Sequence, residues 1–329
     1  MPQDNVFVTR LIPQAGLEKL RGACRLEIWP GALPPAREAL LEKVRGIHGI
    51  LCLLTDRIDR AVMDAAGPQL RAISTYAVGF DNIDVVEATQ RGIPVGHTPG
   101  VLTEACADLT FALLMAAARR VVEGDRQVRA GLWRTWEPLG WLGADVHEAV
   151  LGLVGFGRIG QAVAKRAGGF GMRVLFHDPF YTGYQHEALR AQPVELDMLL
   201  AQSDFVSLHA PLTPVTRHLI NRESIAKMKV GSILINTARG GLLDQDALVD
   251  GLSRRHLAAA ALDVTDPEPM PEGHPLLRLD NVIITPHIAS ASTTARGRMA
   301  VLATDNLIAG LQGRRMPHCA NPQVYENRR

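Results

Sequence analysis

The segment Val150 to Gly160 reads VLGLVGFGRIG, an apolar run broken by Gly155, Gly157 and Gly160. A helix-compatible stretch, Gln161 to Gly168, continues it. Strand, glycine turn and helix start, in that order, bring a pyrophosphate onto backbone N–H groups at a helix N-terminus. Gly155 permits the sharp turn, Gly157 lets phosphates approach, and Gly160 lets the helix lie close to its strand. A second short strand, Arg173 to His177, ends in Asp178. That is about twenty residues past the glycines, where the fingerprint calls for an acid. A carboxylate there accepts hydrogen bonds from the adenosine ribose diol and repels a 2′-phosphate. No Arg or Lys follows in Asp178-Pro179-Phe180-Tyr181, so the reading is NAD in preference to NADP. The glycines alone would not separate a nucleotide site from an ordinary glycine-rich turn. The strand, helix and acid around them do.

The motif sits mid-chain, and its position sets the architecture. A chain of 329 residues has room for two domains. After the motif, strand-like runs recur at Phe205 to His209, Ser232 to Thr237, Ala258 to Val264 and Val282 to Thr285. Helical segments lie between most of them, including Pro193 to Ala201 and Gln245 to Arg255. With the two earlier strands this makes about six, alternating with helices as in a doubly wound parallel sheet. Thr265 to Leu279, rich in Pro and acids, reads as a loop. Ahead of the motif lies another alternating series, with strands at Val6 to Arg10, Leu26 to Trp29, Ile50 to Leu54, Arg71 to Thr75 and Ile93 to Gly96. Helices fit at Gln14 to Arg21, Pro35 to Arg45, Asp59 to Ala66 and Asp84 to Arg91. The long helix Thr103 to Arg120 would carry the chain into the nucleotide domain, and Thr293 to Gln312 would carry it back. The expectation is an α/β protein with a nucleotide domain at 101–287 inserted into a smaller, discontinuous substrate domain, 1–100 and 288–329. The catalytic cleft is expected between them.

Composition excludes several classes. The chain is 47% hydrophobic, yet no apolar run reaches the length of a membrane span; the longest, Leu109 to Ala118, suits a buried helix. No basic and apolar leader is visible after Met1. A net charge of +1 argues against a nucleic-acid partner. The Arg pairs at 119–120, 254–255 and 314–315 suit the ends of helices. Cys24, Cys52, Cys106 and Cys319 show no CxxC spacing, which disfavours a metal site and fits a reducing compartment. A cytoplasmic protein without membrane or nucleic-acid partners is expected.

Three segments place chemistry-bearing side chains at strand ends. In Ile233-Leu-Ile-Asn236-Thr237-Ala-Arg239-Gly240-Gly241 a strand runs into an Arg at the sheet edge where ligands bind. Its guanidinium can grip a carboxylate through two parallel bonds or simply serve a structural ion pair. In Leu262-Asp263-Val264-Thr-Asp266-Pro-Glu268-Pro269, Asp263 ends a strand and could bond a nicotinamide amide, while Glu268 is stiffened between prolines; a solvated acidic turn is the plainer alternative. In Ile283-Ile-Thr285-Pro286-His287, Pro286 fixes the backbone before one of eleven histidines.

Taken together, N-T-A-R-G at Arg239, E-P at Glu268 and T-P-H at His287, in that order after a central GxGxxG, resemble the D-2-hydroxyacid dehydrogenase family. The resemblance runs from about Val6 to the low 320s. Tyr76-Ala-Val-Gly79-Phe80-Asp81-Asn82-Ile-Asp84, Thr98-Pro-Gly-Val-Leu-Thr103-Glu-Ala and Val154-Gly-Phe-Gly-Arg-Ile-Gly-Gln161 are most similar to its glyoxylate/hydroxypyruvate reductase branch. The resemblance implies a Rossmann NAD-binding domain inserted into a flavodoxin-like substrate domain. It implies His287 as the general acid when NADH reduces a small 2-keto acid to the D-2-hydroxy acid. Glu268 would orient and charge the imidazole, and Arg239 would hold the substrate carboxylate and polarise the carbonyl. Backbone N–H groups around Val78 and Gly79 would complete the carboxylate site, with Leu53 as an apolar wall. Thr103, Arg158, Ile159, Asp178, Ala210, Thr237 and Asp263 fall on cofactor-lining positions. Domain closure would exclude water.

Several features bear on alternatives. Ala289 stands where Gly is usual in the branch, and Gly241 replaces a common Ala. Val78 replaces the Lys of phosphite-oxidising members, which disfavours phosphite. Sugar acids such as 2-ketogluconate share the motifs and differ only in pocket shape. An NAD-sensing co-repressor shares the trio but would carry regulatory tails. Gly131 to Gly143, GLWRTWEPLGWLG, holds three of the four tryptophans. Such clusters usually belong to a core, whereas the resemblance implies a dimerisation arm with Trp133, Trp136 or Trp141 bordering a substrate pocket. A homodimer through the nucleotide domain and this arm is expected.

Overall fold

The computed structural model describes residues 3–326. The chain divides into two units, one comprising residues up to Leu102 together with those from Ala291 onward, the other Thr103–Ser290. Both boundaries fall a few residues beyond those read from the sequence. The outermost residues assigned there to the small domain, 1–2 and 327–329, lie outside the described residues.

The first unit is a five-stranded parallel sheet: β1 (Asn5–Val8), β2 (Arg25–Ile28), β3 (Gly49–Cys52), β4 (Ala72–Thr75) and β5 (Val95–Gly96), in the order β2-β1-β3-β4-β5. This is the flavodoxin-like doubly wound order. Its central strands are almost wholly buried because helices cover both faces: Val6, Phe7, Val8, Ile50, Leu51 and Ile73 are fully buried. The long helix Thr293–Leu311 returns the chain to this unit, its first turn capped by Ser292, whose hydroxyl accepts from the Ala295 amide at 3.0 Å.

The second unit is a seven-stranded parallel sheet: β6 (Val150–Val154), β7 (Arg173–His177), β8 (Ala191–Pro193), β9 (Phe205–Leu208), β10 (Ser232–Asn236), β11 (Leu257–Leu262) and β12 (Val282–Ile284). The order β12-β11-β10-β9-β6-β7-β8 is the two-winged arrangement of dinucleotide-binding sheets, reversing between β6 and β9. The sequence suggested about six strands. The additional one, β8, is a three-residue edge strand with exposed Gln192 and Pro193, so no apolar run announced it. A proline is tolerated there because the edge leaves its missing N–H unneeded. The helix expected from Pro193 consequently begins at Leu196.

Register places the site. His177, Val154, Leu208, Asn236, Leu262 and Ile284 are mutual partners across six adjacent strands. The residues that follow them, Asp178, Gly155, His209, Thr237, Asp263 and Thr285, therefore line the C-terminal edge of one sheet.

Candidate active site

The glycine turn adopts the geometry that a dinucleotide requires. Gly155 has φ +95, and a Cβ there would stand 2.6 Å from the Ala210 nitrogen. The loops after β6 and β9 thus touch where strand order reverses. At Gly160 a Cβ would lie 2.4 Å from the Gly155 carbonyl oxygen, so the helix Arg158–Gly168 could not sit so close to its strand with any other residue. Gly157 differs: it is exposed, and a Cβ there would meet nothing within 4 Å. Gly155 and Gly160 shape the turn, and Gly157 leaves space in front of it. The amides of Arg158 and Ile159 open the helix, where backbone geometry supplies no acceptor.

Asp178 is tied to the same turn. Its Oδ2 accepts from the Phe156 amide at 2.8 Å and its Oδ1 from the Phe180 amide at 3.0 Å. Phe156 stacks on Phe176 with centroids 4.0 Å apart, and Tyr181 meets both edge-on. Each such pair contributes about 0.5–1.5 kcal/mol beyond burial, holding the acid beside the glycines. An open helix terminus with a carboxylate fixed next to it is a lining suited to a dinucleotide.

The three charged candidates converge at the other end of this edge. His287 Nδ1 lies 2.9 Å from Glu268 Oε2, and Glu268 Oε1 accepts from the Thr265 amide at 3.0 Å. Burial pushes the Glu268 carboxyl up. The hydrogen bond and charge of His287, the Thr265 amide and the Arg239 charge outweigh it and hold the group below the usual carboxylate range. Arg239 follows β10, its Nη1 donating to the Ala238 carbonyl at 2.9 Å. Asn236 pins that turn, accepting from the Ala238 amide at 3.0 Å and donating to the Arg239 carbonyl at 2.8 Å.

His287 has φ +54, a left-handed conformation that is uncommon for a non-glycine residue and clusters at functional sites. Its N–H donates to the Asp263 and Thr285 carbonyls, each at 3.0 Å. The Asp263 carboxylate, fully buried, accepts from Thr285 Oγ1 at 2.5 Å, the Ile288 amide at 2.8 Å and the Ala289 amide at 2.7 Å. Through these bonds Asp263 anchors the His287 loop. His209, on the same sheet edge, is a different histidine chemically: burial pushes its imidazole down to about 4, and its Nε2 is 2.9 Å from Ser207 Oγ. A ring kept neutral is a poor proton donor.

The remaining candidates are spread over both units. Thr237 is buried, its hydroxyl 2.9 Å from that of Thr110. Ala210 lies in the loop after β9, and Thr103 begins the helix Thr103–Ala118. In the first unit, Leu53 follows β3 and Val78 and Gly79 follow β4. Residues to which the sequence reading gave no role hold these in place. The Asp56 Oδ2 accepts from the Leu53 amide at 2.7 Å, Asn82 donates to the Leu53 carbonyl at 3.0 Å, and His97 Nδ1 lies 2.9 Å from the Val78 carbonyl. Only Asn82 stood in a quoted motif; Asp56 meets Leu53 three residues away and His97 meets Val78 nineteen away, and no motif announces either contact.

Residues 111–289 match the model of the NAD-binding domain of D-isomer-specific 2-hydroxyacid dehydrogenases. A glyoxylate reductase of Korarchaeum cryptofilum is 50% identical over 98% of this chain and 97% of its own. One from Thermofilum pendens is 48% identical over 100% and 97% respectively. A crystal structure of a Thermus thermophilus protein superposes with TM-score 0.90 at 51% identity, covering 96% of this chain and 99% of its own. With that likeness over almost all of its length, the chain belongs to the D-isomer-specific 2-hydroxyacid dehydrogenase family.

Proposed function

We propose that this enzyme reduces a small 2-keto acid, glyoxylate or hydroxypyruvate, to the D-2-hydroxy acid with NADH. The His287–Glu268 contact at 2.9 Å, beside Arg239 on the edge that carries the nucleotide turn, is the observation that carries this reading. Glu268 takes the Nδ1 side of the ring, which leaves Nε2 to give its proton to the carbonyl oxygen. Arg239 grips the carboxylate and steadies the negative charge that develops on the carbonyl. NADH, when bound, supplies the hydride. The amides of Val78 and Gly79 are assigned to the substrate carboxylate, and Leu53 to the apolar wall that selects a short acid. Thr103, Arg158, Ile159, Asp178, Ala210 and Thr237 are assigned to the cofactor. Asp178, held by two amides with no cation following it, disfavours a 2′-phosphate and hence NADPH. The relatives named glyoxylate reductase support the choice of a small acid.

Two further assignments belong to this reading. The 131–143 arm is exposed almost throughout, which suits a homodimer. The four cysteines are unpaired and suit the reducing cytoplasm. Among the described residues, no helix is long and apolar enough to cross a membrane.

The test follows NADH oxidation by absorbance with glyoxylate, hydroxypyruvate, pyruvate and 2-ketogluconate, repeated with NADPH. Fast turnover of glyoxylate or hydroxypyruvate with NADH is expected. Turnover of 2-ketogluconate alone would overturn the small-acid pocket, and preference for NADPH would overturn the role of Asp178. NADH binding without turnover on any acid would favour a sensing protein.

A further inference from the structure

Glu268 stands in the stretch between β11 and the short helical turn Pro275–Arg278, so contacts from outside must set where its carboxylate points. The nearest ones act on the backbone just ahead of it. The Gln245 carboxamide donates through Nε2 to the Asp266 carbonyl, and its Oε1 accepts from the Asp266 amide at 3.4 Å. One side chain thus serves both backbone groups of a single residue, as a neighbouring strand would. Gly240, next to Arg239, presses on the same place: a Cβ there would lie 2.0 Å from the Thr265 carbonyl carbon. Between these two supports the Thr265 amide donates to Glu268 Oε1 at 3.0 Å, leaving Oε2 to face His287.

Gln245 is itself well mounted. It opens the helix Gln245–Ser253, whose first turn is capped by Asp244 accepting from the Asp246 and Ala247 amides, both at 3.1 Å. Another tie on this loop is the ion pair Arg217–Asp266 at 3.1 Å, with side chains 54% and 40% exposed. It holds a side chain rather than the backbone, and exposed pairs of this kind contribute little.

We propose that Gln245 is a positioning residue, whose carboxamide fixes the Thr265–Asp266 backbone so that Glu268 meets His287 in its pairing geometry. The proposal rests on the acid–base reading of His287, but its first readout needs no turnover. Glu268 is faced by His287 and by Arg239, while Asp266 on its own loop is paired with Arg217. If the brace is lost, Glu268 loses its pairing and its carboxyl rises toward the ordinary range.

The experiment titrates the Glu268 carboxyl by NMR in glutamate-labelled full-length protein, using Glu268→Gln to assign the signal. Gln245→Ala removes the carboxamide at a helix position that tolerates Ala, and Gln245→Glu keeps the size but turns an acceptor toward the Asp266 carbonyl. Arg217→Gln is the control. Both Gln245 variants should raise the Glu268 midpoint and move the acid limb of kcat/KM for glyoxylate reduction to higher pH. They should lower kcat by roughly ten- to a hundredfold, the range that misplacement of a reacting group produces, with KM nearly unchanged. Arg217→Gln should match the wild type in each respect. An unchanged Glu268 midpoint in Gln245→Ala overturns the proposal. A wild type that reduces no keto acid would instead remove the proposed reaction, and the Glu268 midpoint would still decide the role of Gln245.

Discussion

His287 is set apart from the other histidines by its surroundings. Its backbone is held left-handed by hydrogen bonds to Asp263 and Thr285, and its ring is oriented by Glu268. Replacing it with Gln should cut keto-acid reduction by about 10²- to 10⁴-fold, the usual contribution of a positioned acid. NADH affinity, read by fluorescence, should be unaffected, and a loss in both would assign His287 to cofactor binding. Glu268 sets the pH behaviour. Its carboxyl is held low, so its contribution to stability is full above the ordinary carboxylate pKa and is lost as pH falls through the depressed value. In Glu268→Gln, urea unfolding midpoints should therefore lose part of their decline in acid, and an unaltered decline would contradict the pairing. Asp263→Asn keeps the shape but turns donors toward amides that now have an acceptor. It should cost about 1–3 kcal/mol in urea unfolding and lower kcat as the His287 loop loosens. The trio was legible only jointly, since each residue type taken alone also fits an ion pair, an acidic turn or an incidental imidazole. The buried role of Asp263 was not legible, because a strand-end acid looks the same in sequence whichever way it turns.

The turn between β6 and its helix shows how three glycines of one motif do separate things. Gly160→Ala must push the helix off the Gly155 carbonyl, and should destabilise by about 1–3 kcal/mol, as overpacking does. Gly157→Ala meets open space, so it should leave thermal unfolding near wild type while weakening NADH binding. Equal effects of the two substitutions on stability would contradict this division. Strands buried on both faces, such as Phe205–Leu208 and Ser232–Asn236, were readable because most of their residues are apolar. The edge strand Ala191–Pro193 was not, having little to bury. The helix Val121–Arg129 likewise went unread: it is polar overall and none of its residues is buried. Gln245 and Asp266, 21 residues apart, meet where the start of a helix passes the loop after β11, which no local pattern encodes.

For the whole molecule, the arm is the open question that the sequence posed in two ways, core or interface. The structure removes the first: Trp133 is 66%, Trp136 76% and Leu139 84% exposed. Trp141 is partly covered by the Arg120 guanidinium, 4.8 Å from its ring. Exposed aromatic side chains concentrated in one segment fit an interaction surface. The double substitution Trp133→Ala and Trp136→Ala should shift sedimentation from dimer toward monomer without loss of secondary structure. A wild type that sediments as a fully active monomer would contradict the arm's assigned role. The proton transfer assigned to His287 has a further consequence, because reduction needs the charged imidazole and oxidation the neutral one. The decisive measurement is the pH dependence of chemistry-limited turnover in both directions, glyoxylate with NADH and the corresponding hydroxy acid with NAD. Reduction should fall and oxidation should rise as the imidazole loses its proton, with both trends absent from His287→Gln. Flat profiles in the wild type, with chemistry shown to limit the rate, would remove His287 from the reaction.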